Sequence, residues 1–559
     1  MEESPTGWEL FSPSGPARAE PQTGEAPGRH SASEPSPGEP GPARPDRVAH
    51  AAPGRPVPVW LPLLAVLVVQ TLLSVRLLWA DTAFQDEATY LWAGHLEWAA
   101  LLHGASVPPF PTYFSGAPVI YPPLGALADS AGGLTGARLL SLAFMLGSTL
   151  LLWDLTRRLF GARAAFFAAA LFALLGPTLH LGAFATYDAM SMFLLALATW
   201  CVAGAGEVGE ATSRMAIGGV VLALANATAY STALFDPVVI VVAALVAWPA
   251  GRRVVIRRCA TLLTVTVALL VAGLLLGGGS YLTGISETTV ERAPGSDPVL
   301  SVLGDAWSWT GVVLVLAWCG VFSSWAYRRG RRLTWLLAVL AVAALLGPLE
   351  QASLHSSASL NKHTDLGAWF AAIAAGYAAD AFIAAAPAGR SRLLTATGCV
   401  LALAFPAFFA FTQSWTFATA WPNSASFVAI LRPLSEHGNL LIETPGPARY
   451  YLPSGSQWRR WSSTRNIVLP SGASTGGPAR ADVVAGGNPA LFARYISQGY
   501  FSIVALNFSD TTALDRQIRA DLARSHYHII QVVPYNSPGT SGTDLTGTYV
   551  IWRYRAPAQ

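Results

Sequence analysis

Lysine is almost missing from this chain. Of 35 basic residues one is a lysine, Lys362, and the rest are arginine. An ammonium is a compact point charge and a guanidinium a planar fork, so the two are not interchangeable at a tight site. A chain that uses arginine everywhere else therefore marks position 362 as a candidate functional residue. Charge of either sign is also scarce. Charged residues make up 12% of the 559, about half the share of roughly 25% in a soluble domain, while 52% are hydrophobic. With a mean hydropathy of +0.42, most of the chain belongs in lipid. The net charge of +3 sits in short basic clusters, which gives no footprint for a nucleic-acid partner. The four cysteines (Cys201, Cys259, Cys319 and Cys399) lie in or beside apolar runs without paired spacing. That excludes a disulfide framework and a zinc site and leaves them as small packing residues.

What is present starts at Val57. Residues 1–56 are rich in Pro, Gly, Ser, Ala and Glu and predict a disordered tail. Because that tail precedes the first apolar run, the run reads as a membrane helix rather than a cleaved signal. It extends to Trp79, 23 residues with one charge, Arg76, long enough for about 30 Å of hydrocarbon. An adjacent acidic pair, Asp86 and Glu87, follows a few residues later. Tyr90, Leu91, Trp92, Leu96 and Trp98 come next, and part of this set forms a stripe at helical spacing, as in a helix lying in the membrane interface. Two readings of the pair are open: a site held at the membrane surface, or the ordinary acidic start of a helix, where the dipole favours negative charge.

Ten further spans are expected at roughly 137–157, 163–181, 187–205, 214–229, 233–249, 256–276, 307–327, 332–351, 368–386 and 391–413. Arginine clusters at 157–163, 252–258, 328–332 and 390–392 all fall on one side of the alternation, which makes that side cytoplasmic. The other side collects the remaining polar groups: Asp86 and Glu87, Tyr121-Pro122-Pro123-Leu124, Tyr187-Asp188, Asp236, the loop 277–306 with Glu287, Glu291 and Arg292, and the loop Ser353–Asp365 with His355, Lys362, His363 and Asp365. Any chemistry is therefore expected outside the cytoplasm.

From about residue 422 the pattern changes. Asn439–Ile442, Phe501–Leu506, His528–Val533 and Thr548–Trp552 predict strands, and Ala425–His437, Pro489–Gln498 and Thr512–Ser525 carry helical spacing between them. The expected architecture is mainly α: a polytopic helical bundle of about eleven spans over 57–421, followed by an extracytoplasmic α/β domain over 422–559. That domain shows no Gly-rich phosphate loop, zinc spacing or nucleophile elbow, so binding or positioning is the role expected of it.

The combination of QDEATYLWAG in the first outside loop, YPPLGAL after it and TYD at the head of a later span resembles the GT-C glycosyltransferases, in the branch of protein O-mannosyltransferases and lipid A aminoarabinose transferases. The likeness is best over 57–205 and looser beyond. It implies a polyprenyl-phosphate-linked sugar donor, transfer on the outer face, and inversion at the anomeric carbon. It also implies that Asp86 acts on the acceptor hydroxyl with Glu87 beside it, and that Asp188 is a second acidic position near the cavity. Tyr121 stands where the family often has His or Lys before its Pro-Pro-Leu, a departure that removes a cationic donor contact there. Lys362 and His363 match by position the cationic groups that face the donor phosphate.

A polyprenyl-phosphate sugar is already activated. Transfer then needs a carboxylate to take the acceptor proton, positive charge on the leaving phosphate, and an apolar groove for the lipid. Asp86, with Glu87 as alternate, is the expected base, and Lys362, His363 and Arg292 are the expected phosphate contacts. Against these stand plainer roles: Arg292 paired with Glu291 or Glu287, and His363 capping a helix. A divalent metal is possible, since Asp86, Glu87, Asp188 and the loop histidines offer oxygen and nitrogen donors, but the sequence does not require one. The expected partners are the lipid-linked donor, membrane lipids and a cell-envelope glycan, lipid or protein acceptor, with no nucleic acid. The competing classes are a transporter or flippase of lipid-linked saccharides, which intramembrane charges or an internal repeat would favour, and a binding receptor, which leaves the acidic pair without a role.

Overall fold

A computed structural model describes residues 60–114, 119–204, 208–289, 294–418, 420–469, 483–485, 488–538 and 544–556. The tail expected to be disordered and the candidate Arg292 lie outside the described residues. The chain runs through α1 (Trp60–Leu78), α2 (Gln85–His103), a short α3 (Phe110–Tyr113), α4 (Tyr121–Phe160), α5 (Ala162–Ala173), α6 (Gly176–Leu181), α7 (Tyr187–Ala203) and α8 (Val208–Thr228). It continues with α9 (Asp236–Ala247), α10 (Arg252–Thr289), α11 (Val299–Ala326), α12 (Arg331–Ser353), α13 (Leu360–Ala385), α14 (Arg390–Ala402) and α15 (Ala404–Phe417). Every expected span coincides with one of these helices or with two in succession. Among the described residues, eight helical segments are long and apolar enough to cross a membrane, with α5 and α7 as shorter apolar helices.

Several helices overrun the expected spans. Tyr121-Pro122-Pro123 is the first turn of α4 rather than a free turn, because proline lacks only an N–H that has no partner there anyway. Gly132 and Gly133, the latter with φ of +62°, then break α4, so that the part after them matches the expected span. The presumed loops 277–306 and 353–365 are shorter than expected: α10 continues to Thr289 past a kink at Gly278, and α13 starts at Leu360. Lys362, His363 and Asp365 thus stand on the first turns of a helix.

α13 is the central helix. Trp369, Phe370 and the run Ala371–Ala375 are fully buried, and small residues let neighbours approach its backbone. A Cβ at Gly367 would lie 2.4 Å from the Ala343 carbonyl of α12, and one at Gly376 would lie 2.3 Å from that of Ala164 in α5. The far end of α13 carries Asp380, held by Arg163 at 2.7 Å, and Arg332 at the start of α12 donates to the Leu245 and Val246 carbonyls at the end of α9. These arginine-bearing ends therefore lie opposite Lys362.

The C-terminal part adds α16 (Ala425–Leu434), β1 (Asn439–Ile442), α17 (Gly446–Tyr451), β2 (Trp461–Ser462), β3 (Asn466–Val468), β4 (Val483–Ala485), α18 (Pro489–Ser497), β5 (Phe501–Leu506), α19 (Thr512–Ala523), β6 (Tyr527–Pro538) and β7 (Asp544–Tyr554). Its main sheet has the order β2-β1-β5-β7-β6, with β1 parallel to β2 and β5, and β7 antiparallel to β5 and β6. The expected strands and helices are all present. α17 rests on α2: Gln85 Oε1 accepts from Gly446 N at 3.2 Å, Tyr451 Oη from Ala83 N at 2.8 Å, and Trp92 Nε1 donates to the Gly455 carbonyl at 2.8 Å. The sheet is thereby fixed over the start of α2, where the acidic pair lies.

Candidate active site

The first turn of α2 places its two carboxylates in opposite environments. Glu87 is the third residue of the helix and turns back to accept the Phe84 N–H at 3.3 Å. It is fully buried, as is Arg138 of α4. Arg138 Nε reaches Glu87 Oε1 at 2.8 Å and Nη2 reaches Oε2 at 2.7 Å, the bidentate geometry in which a guanidinium fork matches a carboxylate. Arg138 Nη1 also donates to the carbonyls of Leu78 (3.2 Å) and Ala80 (2.6 Å), and Glu87 Oε1 accepts Ala185 N at 2.8 Å. One ion pair thus ties the end of α1, the start of α2, the part of α4 just past its glycine break and the segment that leads into α7. Glu87 is thus the acidic start of a helix, though buried, while Asp86 beside it is partly exposed.

Lys362 brings Asp86 together with Asp188, from a distant part of the chain. Lys362 Nζ lies 3.1 Å from Asp86 Oδ2 and 3.1 Å from Asp188 Oδ2. All three stand on the first turns of α2, α7 and α13, where the helix dipole favours the two carboxylates. The Lys362 and Asp188 side chains are about nine-tenths buried, whereas that of Asp86 is 40% exposed. Access to the cluster is therefore from the Asp86 side. Tyr90, one turn further along α2, packs edge-on against Tyr187 with ring centroids 5.1 Å apart. Burial, then the neighbouring Tyr187, Asp86 and Asp188, push the Tyr90 hydroxyl well above its ordinary value, so it stays a neutral hydrogen-bonding group. Further along α2, burial raises Glu97 to about 7.

The remaining expected site residues lie apart from this cluster. Tyr121 is fully buried at the start of α4, near Ser141 and Glu87. His363 turns towards α12, its Nδ1 2.8 Å from Glu350 Oε2 and 2.7 Å from Gln351 Nε2. Two residues were not foreseen. Arg138 carried a signal, a charge within an apolar run, which marks a functional or paired group. His180 of α6 lies close to Lys362 and Asp188, its ring 4.4 Å from Phe184 and 5.1 Å from Phe417.

The donor set does not fit a divalent metal. Both Glu87 oxygens are committed to Arg138 and backbone N–H groups, the space between Asp86 and Asp188 is bridged by an ammonium, and His363 is held by α12. Among the described residues no three His, Cys, Asp or Glu side chains converge as metal ligands.

A cavity of about 960 Å³ lies along α13, walled by α5, α11, α14 and α15 and lined by residues such as Leu171, Trp307, Val313, Phe382, Phe405 and Phe409. Its lining is almost wholly apolar.

Comparison with known proteins agrees with this architecture. The family model for dolichyl-phosphate-mannose-protein mannosyltransferase matches residues 126–275. Comparison with curated protein sequences gives no match. Among solved structures, ArnT from Cupriavidus metallidurans bound to undecaprenyl phosphate superposes with a TM-score of 0.54 at 15% identity, covering 88% of this chain and 97% of that one. The archaeal oligosaccharyltransferase AglB from Archaeoglobus fulgidus, in complex with an inhibitory peptide and a dolichol-phosphate, does so at 0.50 and 15%, covering 87% and 74%. The resemblance read from the sequence is borne out: the chain has the GT-C fold, a helical membrane bundle with a small C-terminal sheet. The transporter alternative is not favoured.

Proposed function

We propose that this chain is an integral-membrane, inverting glycosyltransferase that moves a hexosyl or pentosyl group from a polyprenyl-phosphate donor to a glycan, lipid or protein acceptor outside the cytoplasm. The observation that carries the reading is the convergence of Asp86, Asp188 and Lys362 at the starts of three helices, with Asp86 open to a ligand. The acceptor oxygen attacks the anomeric carbon as the bond from that carbon to the phosphate oxygen breaks. Asp86 takes the acceptor proton, and the polyprenyl phosphate leaves with the bonding electrons. An ammonium has three N–H donors. Two of those of Lys362 face Asp86 and Asp188, and the third serves the phosphate as its charge grows. Glu87 and Arg138 hold Asp86 in place without touching substrate. The apolar cavity along α13 suits an isoprenoid chain, in keeping with the undecaprenyl phosphate and dolichol-phosphate bound by ArnT and AglB. Eleven spans, a cytoplasmic N-terminal side and an extracytoplasmic sheet complete the reading, supported by the arginine clusters opposite Lys362.

The test is release of polyprenyl phosphate from a labelled lipid-linked sugar by the purified protein in detergent, with and without an acceptor extract. Release that depends on Asp86 is expected. An active lipid-scrambling assay with no release from any of several donor sugars would overturn the reading.

A further inference from the structure

The two carboxylates of the cluster are arranged as metal ligands are, yet a side chain stands between them. Asp86 Oδ2 and Asp188 Oδ2 each lie 3.1 Å from one nitrogen, so they are no more than about 6 Å apart. A divalent cation held by two carboxylates needs oxygens at roughly 2.0–2.6 Å from it, a contraction of about 0.5–1 Å on each side. With Lys362 in place, an incoming cation would meet a fixed positive charge at the point it has to occupy. Lys362 is also held there: its helix is packed against α5, α11 and α12 by small residues, and its side chain is nine-tenths buried. Glu87, next to Asp86 in the chain, is not free to complete a ligand set, since both its oxygens are taken by Arg138 and backbone N–H groups.

We infer that the Lys362 ammonium stands in for a divalent cation between Asp86 and Asp188, so that the site works without metal and becomes a metal site once the ammonium is removed. The only lysine of the chain then has a reason not to be an arginine. A guanidinium is planar and spreads its charge over three nitrogens, and it cannot sit as a single point between two carboxylates. The inference rests on the proposed transfer reaction only where activity is measured.

The experiment titrates Mn²⁺ into the purified full-length protein in detergent and follows free Mn²⁺ by electron paramagnetic resonance. The samples are wild type, Lys362→Gln, and Lys362→Gln combined with Asp188→Asn. Wild type should show no stoichiometric site. Lys362→Gln should bind one Mn²⁺ at least tenfold more tightly, and the second substitution should abolish that site. Sugar release by wild type should stay within twofold in excess chelator. A tight Asp188-dependent Mn²⁺ site in wild type would overturn the inference, as would a tenfold chelator loss that Mn²⁺ restores, or a Lys362→Gln protein that binds no more tightly than wild type. If the variants do not fold, the wild-type titration decides by itself. If no donor is turned over, the transfer reading fails while the Mn²⁺ titration still stands.

Discussion

The helix starts that meet at Lys362 and the C-terminal sheet each hold a pair of carboxylates, and the pairs are neutralised by different means. Asp86 and Asp188 share a side-chain cation. Glu443, just after β1, instead accepts four backbone N–H groups, those of residues 507–510, at 2.6–2.8 Å. Asp515 of α19 lies beside it, its carboxyl pushed up to about 7 by burial first and then by the Glu443 charge. Among the described residues no side-chain cation pairs with either. Glu443 is 2% exposed and Asp515 is fully buried, so nothing enters this pair from outside. Backbone donors in a loop cannot be redirected without unmaking the loop, whereas an ammonium held between two carboxylates keeps a third N–H donor for an incoming group. On the proposed function the first pair serves a ligand, whereas the second holds a fold together.

Substitution should separate the two regions by readout. Asp86→Asn is expected to lower turnover by about 10²–10⁴-fold with little change in thermal stability, whereas Glu443→Gln should lower the unfolding temperature and leave the rate within a few-fold. Rates and melting curves on both proteins decide it, and a stability loss in Asp86→Asn matching that of Glu443→Gln would erase the distinction.

A somewhat smaller effect is expected beneath the site. Arg138→Met leaves the fully buried Glu87 charge without its partner, which costs about 3–5 kcal/mol. Adding Glu87→Gln should recover part of that stability. A melting point in the double variant no higher than in Arg138→Met would mean that the guanidinium matters for its carbonyl contacts with Leu78 and Ala80 rather than for the ion pair.

The smallest effect is a pH slope in the sheet. Asp515 has a folded value above its unfolded one of about 3.9, so between the two it is protonated in the fold and ionised in the unfolded chain. Stability from this group is therefore full at low pH and is lost as pH rises from about 4 to about 7, by on the order of 2 kcal/mol after allowance for screening. Melting curves of wild type and Asp515→Asn across that range should differ in slope, with the variant flatter; parallel curves would show that Asp515 does not carry the proton.

Much of this was legible in the chain itself. The helices of the bundle and the strands Asn439–Ile442 and Phe501–Leu506 follow from apolar runs and local periodicity, which report burial within a few residues. Asp86 and Lys362 stood out by type, one in an acidic pair after a span and the other as the single lysine. The partners did not. Lys362 is 276 residues from Asp86 and Arg138 is 51 from Glu87, and no spacing rule connects such positions. The tertiary structure alone decided that Glu87 turns down onto Arg138 while Asp86 faces Lys362, and that His363, one residue along, turns to Glu350 instead. Composition and periodicity determined which segments are long and apolar enough to lie in lipid, because transfer from water is a property of each segment by itself. Which charges neutralise which depends on how closely small residues let α13 approach its neighbours, and that distance exists only once the bundle is packed.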